Sequence, residues 1–590
     1  MYTFPEAGGD IGTQALLASK ATGRNGNWLS YALGDNDALT IKDSLGRTLV
    51  TTTGFQPSQA YSSLTDTITA AGAGYAVVWK GEDDPAQAVS ISGAGAAPCP
   101  NETTNTGGNS PVITSMTTPE GTYTFAYNDP YGLVSQVNDP NGGYVRYSWA
   151  VPSQPTEAGA FDTPPEAGVA PETCTGVYAL PVITDRYVSP DGVHETEHQH
   201  FDYWTSWNTG SANDTWHQKS TQVTTTDTSS GASYQTSHFY TPVGAPGAAN
   251  THAILASQTP VESEVEVGQG SGTLQDVVEQ WTSSYPPQLT DRQTRRDWVA
   301  IAEQCFRYNA ADQIVDKQEF TSLPGCGKGA SPARETTVSY ASFSGKNIVD
   351  RPASVTIYGS GGAMASQSNY GYNGNGDLVS SARWVSGTTY LTTTYAVDSY
   401  GNRTGMTDAA GNTTAYAYGG SGDNAYVASI TDALGHERSF TWNDSAGTMA
   451  SAIGENGHTT SYGYDGWNRL TEVSYPDGGE TAFAYTPSTL ETKREQSSGV
   501  WQDALESFDG LGRAAVEATE VSGGEWSRVD TCYNGFGEKS FVSYPYLSTG
   551  SGGAPDCSEG GASACSGYGC FRARRAQREI RAIPISDRAR

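Results

Sequence analysis

A repeated turn-and-strand pattern between Thr393 and Thr486 constrains this 590-residue chain more than any other feature. Four cycles read DAAGNTTAYAY, DALGHERSFTW, ENGHTTSYGYD and PDGGETAFAYT, and their glycines, 24, 22 and 21 residues apart, are Gly411, Gly435, Gly457 and Gly478. Self-similarity at such a period is typical of repeat architectures. Each cycle begins with a turn signal, in which Asp or Asn bonds its own backbone and Gly takes a positive φ angle. The sequence therefore predicts hairpin-sized units.

The residues after each turn alternate strictly between aromatic and small side chains, which predicts β-strands with two unlike faces. The aromatic members are Tyr416, Tyr418, Phe440, Trp442, Tyr462, Tyr464, Phe483 and Tyr485. Between them lie Ala, Ser, Thr or Gly residues. Because each ring buries ~150–250 Å², a pair of rings per repeat can hold a long sheet together.

The segment Tyr464–Leu470, YDGWNRL, resembles the YD repeat of the RHS family, with Asp465 and Arg469 at the conspicuous positions of the motif. Weaker copies occur at Asp43–Arg47, Tyr127–Leu133, Tyr372–Leu378, Ser399–Arg403 and Phe508–Arg513. The resemblance implies β-hairpins wound into a sheet shell that encloses a C-terminal toxin or cargo domain, which this chain does not itself contain. It also implies that similar proteins form parts of toxin complexes or act as cell-surface contact proteins.

Family members that release cargo are similar in carrying an Asp-Pro-x-Gly self-cleavage string. Asp139–Gly142 matches those four positions, but it lies in mid-chain inside a hairpin unit. We interpret it as a turn, so neither self-cleavage nor a toxin domain is expected in this chain.

Composition and charge favour an all-β protein and exclude some partners. The chain has 69 Gly and 34 Tyr against 5 Met, a balance of turns and aromatic strands. Its net charge of -30 argues against nucleic acid, because phosphate binding requires clustered Lys and Arg. No apolar run approaches the ~20 residues of a membrane helix. The N-terminus shows no signal peptide, so we expect an interior piece of a longer protein or export without a cleaved signal.

The pattern divides the chain into five regions. We expect an N-terminal β region with degenerate YD-like units over 1–150, a Pro-rich loop over 151–175, divergent β repeats with an insertion over 176–369, and well-formed repeats over 370–545. Within them, the Gly- and Thr-rich run at 101–110 is predicted to be a loop, and Leu274–Trp281 and Trp298–Phe306 to be short helices. Residues 546–590, Gly/Ser-rich and then Arg-rich, form an irregular tail typical of a truncation or reading-frame artefact.

One string fits a zinc-protease motif, HExxH, at His194, Glu195 and His198. That chemistry requires both histidines on one helix face, whereas the string follows a turn and precedes an aromatic alternation. On a strand the two histidines would be about 13 Å apart, so we expect no protease. His198 and His200 do share a strand face and could bind a metal if a third ligand arrived, but a solvated polar face is the simpler interpretation.

The cysteine spacing suggests two disulfides, Cys305 with Cys326 and Cys532 with Cys557, with Cys99 and Cys174 as a weaker third pair. Unpaired thiols in a reducing compartment remain open as the alternative.

Three functions follow from these patterns. The first is a non-catalytic structural shell segment of a secreted or cell-surface protein, without cofactors. The second is an adhesin whose exposed Tyr and Trp bind glycans or a cell-surface partner. The third is the zinc protease. No P-loop, nucleophile elbow or EF-hand string is present.

Overall fold

The computed structural model describes residues 2–3, 19–35, 38–54, 63–93, 102–127, 131–162, 173–208, 216–244 and 258–557, apart from 271, 285, 298, 344, 420–424 and 523. Within these residues the chain is all-β and contains 41 strands and no α-helix. The prediction of an all-β class is confirmed. Predictions for the tail beyond residue 557 and for Cys99 lie outside the described residues.

The N-terminal strands are short apart from β7 and β8, which are long. They are β1 (Tyr2–Thr3), β2 (Lys20–Thr22), β3 (Trp28–Leu33), β4 (Leu39–Asp43), β5 (Thr48–Thr52), β6 (Leu64–Ala70), β7 (Ala73–Gly93), β8 (Glu102–Thr118), β9 (Gly121–Ala126), β10 (Gln136–Asn138), β11 (Tyr144–Ala150), β12 (Glu157–Asp162), β13 (Thr173–Tyr178) and β14 (Val182–Ser189).

The middle of the chain has the most regular long strands. They are β15 (Glu197–Trp207), β16 (Trp216–Asp227), β17 (Ser233–Gly244), β18 (Gln258–Gln269), β19 (Gly272–Trp281), β20 (Leu289–Arg296), β21 (Val299–Tyr308), β22 (Ile314–Phe320), β23 (Arg334–Tyr340), β24 (Pro352–Gly359), β25 (Met364–Tyr372), β26 (Leu378–Ser386) and β27 (Thr389–Val397).

The well-formed repeats follow as short strands, and six further strands end the described chain. The strands are β28 (Arg403–Thr407), β29 (Thr413–Tyr418), β30 (Val427–Thr431), β31 (Glu437–Asn443), β32 (Thr448–Ile453), β33 (Thr459–Tyr464), β34 (Leu470–Ser474), β35 (Glu480–Tyr485), β36 (Thr489–Ser497), β37 (Val500–Phe508), β38 (Ala514–Ser522), β39 (Glu525–Tyr533), β40 (Lys539–Val542) and β41 (Tyr546–Ser548).

The strands form one long antiparallel sheet in which almost every strand pairs with the next along the chain. The hairpin β12–β13 is an excursion: β11 pairs directly with β14, and β13 reaches back to the far end of β7. At the other end, β39 pairs with both β40 and β41. No pairing joins the first and last of the described strands, so the sheet is open and its connections are local.

Four local predictions are wrong. Leu274–Trp281 is not a helix but most of β19, and the second predicted helix is β21, because each segment bonds to strands on both sides. Residues 102–110 of the run predicted as a loop pair with β7 as part of β8. Residues 157–162 of the predicted Pro-rich loop pair with β13. Both disulfides suggested by the spacing, Cys305–Cys326 and Cys532–Cys557, are confirmed.

The two faces of the repeat strands differ as the alternation predicts. In β29 the rings of Tyr416 and Tyr418 are half-buried, whereas Ala415 and Ala417 are exposed. An aromatic residue, usually the last one of its strand, repeatedly crosses to the preceding strand and donates a hydrogen bond of 2.8–3.0 Å to a carbonyl at or near the start of that strand. The donors include Trp149, Tyr203, Tyr308, Tyr340, Tyr372, Trp442, Tyr464, Tyr485 and Tyr533.

A shift of register stands just before this last aromatic residue in most of the same strands. It lies between Gly371 and Tyr372 in β25, between Thr441 and Trp442 in β31, and between Gly463 and Tyr464 in β33. A β-bulge bends a strand and increases its right-handed twist. Bulges repeated along one edge of the sheet therefore give the ribbon a consistent curvature.

Candidate functional site

The recurring structural unit is a turn in which an Asp or Asn clamps the residue four positions later. In the best copy, Asp465 Oδ1 accepts hydrogen bonds from the backbone amides of Trp467, at 2.9 Å, and Arg469, at 3.0 Å. Its other oxygen accepts a bond from the guanidinium of Arg469 at 2.8 Å. Asp43 with Arg47 and Asp509 with Arg513 repeat this geometry.

The residue four positions after the clamping aspartate varies, while the geometry of the turn stays the same. It is Asn402 after Asp398, Asn412 after Asp408 and His436 after Asp432, and each side chain returns to the clamping carboxylate. The residue before it takes a positive φ, which Gly adopts without strain. Gly411 and Gly435 fill that place, and Gly457 and Gly478 adopt positive φ in the related turns. In the best copy Asn468 fills it instead, at φ 62°.

Hydrogen bonding outweighs burial in setting the charge state of these turns. Burial would raise the pKa of Asp465, but the bonds from the Arg469 amide and guanidinium and from the Trp467 amide leave that pKa lowered. At Asp408 the side chain and amide of Asn412 lower the pKa, and at Asp432 the amide and ring of His436 do so. The turns are therefore built around ionised carboxylates.

The turns also join parts of the sheet that are distant in sequence, along a line that we call the seam. The hydrogen bonds across it include four between residues that are 350 to 397 positions apart. They join Arg24 to Asp377, Asn27 to Tyr400, Asn468 to Ala71 and Arg469 to Pro119. The turns of the earlier strands thus lie against the turns of the later strands.

Other seam contacts are made between aromatic rings and between backbone groups of glycines. Trp467 meets Tyr75 edge to face with ring centroids 5.4 Å apart, and Phe536 packs on Tyr234 at 5.3 Å. The amide of Gly143 donates to the carbonyl of Gly510 at 2.9 Å. The sheet therefore winds back until its turn edge meets itself, which the local pattern alone could not show.

The predicted repeat positions lie in a clamped turn on the seam, among the crossing donors or on the aromatic face. Asp465 and Arg469 form a clamp that lies on the seam, and Arg469 also stacks over the ring of Tyr485 at 4.6 Å. Trp442, Tyr464 and Tyr485 are crossing donors. Tyr416, Tyr418, Phe440, Tyr462 and Phe483 are half-buried on the aromatic face.

The HExxH string is divided between unrelated contacts, so it does not form a protease centre. His194 lies in the turn before β15 and its Nδ1 contacts Asp191 at 2.7 Å. Glu195 is held by Arg146 at 2.8 Å. His198 contacts Asp185, on the neighbouring strand β14, at 2.8 Å.

The sequence placed His198 and His200 on one strand face but missed the third member of the cluster, Asp185, which the structure brings beside them. Asp185 precedes the histidines by 13 and 15 residues, and only the register of β14 against β15 makes them neighbours. A second set of potential ligands comprises Asp291, Glu303, Cys305 and Cys326. Its two sulfurs are joined in a disulfide, which removes both thiolates.

Asp291 and Glu303 form a buried acidic pair on adjacent strands, with carboxylate oxygens within 4.8 Å. Burial and the neighbouring charge of Glu303 raise the pKa of Asp291, although a hydrogen bond from Gln293 opposes the shift. Glu303 accepts the amide of Gly325, in the loop that the Cys305–Cys326 disulfide fastens to β21. The pair therefore supports that loop.

Comparisons with known proteins agree with this geometry. The sequence model of the RHS Repeat family matches residues 444–480, which contain the best clamp. No curated protein matches the chain in sequence. In fold, the chain is similar to crystal structures of TcdB2-TccC3 and of TcdB2-TccC3 without its hypervariable C-terminal region, and to the Tc holotoxin pore of Photorhabdus luminescens.

The extent of these likenesses is well defined. The TM-scores are 0.51, 0.51 and 0.50 at 8%, 8% and 7% identity, which establishes likeness of fold alone. The matches cover 89%, 93% and 90% of this chain but only 38%, 41% and 39% of those chains. The chain therefore spans about two-fifths of the length of these structures.

A single antiparallel sheet, wound through clamped turns, gives this chain a β-repeat fold of the shell type seen in these structures. Within that fold, residues 444–480 match the RHS repeat in sequence as well. Among the residues described, no helical segment has the length and hydropathy needed to cross a lipid bilayer.

Proposed function

We propose that this chain is a non-catalytic wall segment of a secreted or cell-surface RHS shell, which encloses a toxin or cargo domain lying outside this chain. The observation that carries the proposal is the seam, because a ribbon whose turn edge meets itself encloses space instead of spreading flat. The likeness to Tc toxin structures supports it at the level of fold.

The chemistry of the chain also supports a wall. Many ionisable groups of the described residues lie in turns or in cross-strand pairs, as in Arg186 with Glu197 and Arg292 with Glu279. The repeat positions proposed as structural, from Gly411 to Tyr485, serve turns, ring packing or the seam. A wall acts by steric enclosure and needs no catalytic group.

Electron microscopy of the purified chain, together with limited proteolysis, tests this proposal. We expect a curved, single-layered particle with an empty concave side, and a large resistant fragment that contains residues 370–540. A filled globular particle, or rapid cleavage through 370–540, would contradict the wall.

A second function, glycan binding, is favoured by one cleft at the seam. The cleft measures about 470 Å³, and its lining includes Trp28, Asn27, Asn402 and Tyr400, whose ring is 46% exposed. Aromatic faces beside amide groups suit sugar rings, which present apolar faces and hydroxyls together. A glycan array should then show saturable binding that Tyr400→Ala weakens and Tyr234→Ala, outside this cleft, does not.

A further inference from the structure

The face of the sheet opposite the crossing aromatics carries a compact group of metal-ligand side chains. On β15, His198 and His200 point to the face opposite Tyr203, which donates to Ile183 on the aromatic side. On β14, Asp185 stands directly opposite His200, and Tyr187 directly opposite His198. The antiparallel register therefore places one carboxylate between two imidazoles.

The separations within the group are already close to those of a coordination sphere. Asp185 Oδ1 is 2.8 Å from His198 Nε2 and 2.9 Å from His200 Nδ1, and all three ligand atoms lie within 4.8 Å of one another. Zn–N and Zn–O distances near 2.0–2.2 Å imply ligand atoms about 3.3 Å apart in a tetrahedron. An opening of roughly half an ångström would admit the ion.

Neighbouring side chains hold two of the ligands in orientation. The ring of Tyr187 stacks on His198 with centroids 4.4 Å apart and planes 1° apart, and Arg146 covers the other side of Tyr187 at 4.0 Å. Asp202 Oδ1 lies 3.6 Å from His200 Nε2, the ring nitrogen that does not face Asp185. A carboxylate behind a ligating histidine is the usual outer partner of a metal site.

Access and charge also suit a bound cation. The side chain of His200 is 47% exposed, so water can reach the fourth coordination position. Two neutral imidazoles and one carboxylate leave the group with a charge of about -1, which a divalent cation would offset. Two nitrogens and one oxygen select late first-row metals over Mg²⁺ or Ca²⁺.

We propose that Asp185, His198 and His200 bind one divalent transition-metal ion, with Zn²⁺ as the representative, and that the ion fastens β14 to β15. The site is independent of the HExxH string, because it uses neither His194 nor Glu195 and has its ligands on two strands. Its role is structural, as a cross-strand fastening in the wall.

Calorimetric titration of the metal-stripped full chain with ZnCl2 at neutral pH tests the site. We expect one ion per chain, a binding constant lowered at least about tenfold in His198→Ala, His200→Ala and Asp185→Asn, and a higher melting temperature with Zn²⁺ in the parent protein alone. Asp185→Asn preserves the size and hydrogen bonding of the side chain, so its circular dichroism should match that of the parent.

Two single histidine–aspartate pairs provide matched controls. His194 contacts Asp191 at 2.7 Å and His436 contacts Asp432 at 2.9 Å, each without a second histidine in the pair. His194→Ala and His436→Ala should leave Zn²⁺ affinity and stoichiometry unchanged. An absence of saturable binding, or equal loss in a control variant, would overturn the proposal.

Discussion

At the scale of single residues, the turns rest on one carboxylate that satisfies several donors. Asp465 accepts two backbone amides and a guanidinium, while Asp477, in the next turn, accepts from the described residues only the Gly479 amide, at 3.1 Å. Since such bonds resemble helix caps, each is worth on the order of 1 kcal/mol. The two kinds of turn should therefore differ in how strongly they depend on their aspartate.

Asp465→Ala tests this dependence. We expect a loss of about 2 kcal/mol, because two amides and Arg469 lose their acceptor, and at most about 1 kcal/mol for Asp477→Ala. Urea unfolding measures the midpoint of the transition, and hydrogen exchange identifies the transition that involves residues 440–490. Equal losses in the two variants would show that the clamp adds nothing to an ordinary turn.

The same carboxylates predict how stability depends on acid. The folded-state pKa values of Asp408, Asp432 and Asp465 are lowered, so their contribution is present above the unfolded pKa of about 3.9 and is lost as pH falls through the folded values. Asp465→Ala should accordingly be less stable than the parent at pH 7, and the difference should shrink as pH falls through the lowered folded pKa of Asp465.

For Asp291 we predict the opposite dependence of stability on pH. Its side chain is 4% exposed, one of its oxygens has no hydrogen bond within the described structure, and its pKa is raised by burial and by Glu303. A raised folded pKa means that its contribution is full below about pH 3.9 and is lost as pH rises through the folded pKa.

We therefore expect Asp291→Asn to be more stable than the parent by about 1 kcal/mol at pH 7 and equal to it near pH 3, because the amide removes a desolvated charge. Urea unfolding at the two pH values measures the difference. The control Asp477→Asn, in an exposed turn, should show no such dependence. A variant that is less stable at pH 7 would mean that the Asp291 carboxylate is required in its ionised form.

At the scale of the strand, the crossing aromatic residue ties each strand to its predecessor. Tyr464 donates to Met449 at 2.9 Å and Tyr485 to Leu470 at 2.8 Å, both across 15 residues. Tyr462 lies on the same face two residues earlier, and within the described residues its hydroxyl makes no hydrogen bond. Ring burial is thus common to both positions, whereas the hydroxyl bond belongs to one.

Tyr464→Phe and Tyr462→Phe form a matched pair. The first should cost about 1 kcal/mol, because the carbonyl of Met449 loses its donor while the ring stays in place, and the second should change stability by less than about 0.5 kcal/mol. Thermal unfolding and exchange of the amides of β32 measure the effect. Equal behaviour would assign the role of Tyr464 to packing alone.

At the scale of the whole molecule, the seam decides whether the ribbon stays wound. Gly510 and Gly466 occupy the same place, directly after the clamping aspartate, in two turns. A Cβ atom at Gly510 would collide with the Pro190 carbonyl and the Gly143 amide, whereas a Cβ at Gly466 meets nothing within 4 Å. Neither glycine has a positive φ, so alanine suits the backbone at both positions.

Gly510→Ala should therefore open the seam, while Gly466→Ala should be close to neutral. We expect faster hydrogen exchange at 139–143 and 189–193 and new protease cleavage there in Gly510→Ala alone. The loss of stability should be about 1–3 kcal/mol, the usual cost of overpacking. Unchanged exchange at both segments would show that the seam is not closed in solution.

Much of the local structure could be predicted from the sequence. Strict alternation and Asp-x-x-Gly turns fix strands and hairpins through nearest neighbours, so the well-formed repeats agree with prediction. The prediction of a helix over Leu274–Trp281 is wrong because its apolar residues also fit a helical spacing. Backbone hydrogen bonds to β18 and β20 make this segment a strand, in which the buried Asp276 lies directly opposite Arg295 and accepts a hydrogen bond from it.

The sequence by itself determined the repeat, its two faces and its turn chemistry, because all of these act within about 20 residues. Only the tertiary structure decided which turns meet along the seam, since contacts such as Asn468 with Ala71 depend on curvature accumulated over many bulges. The same holds for Asp185 beside His198 and His200, which the β14–β15 register brings together and no spacing along the chain reveals.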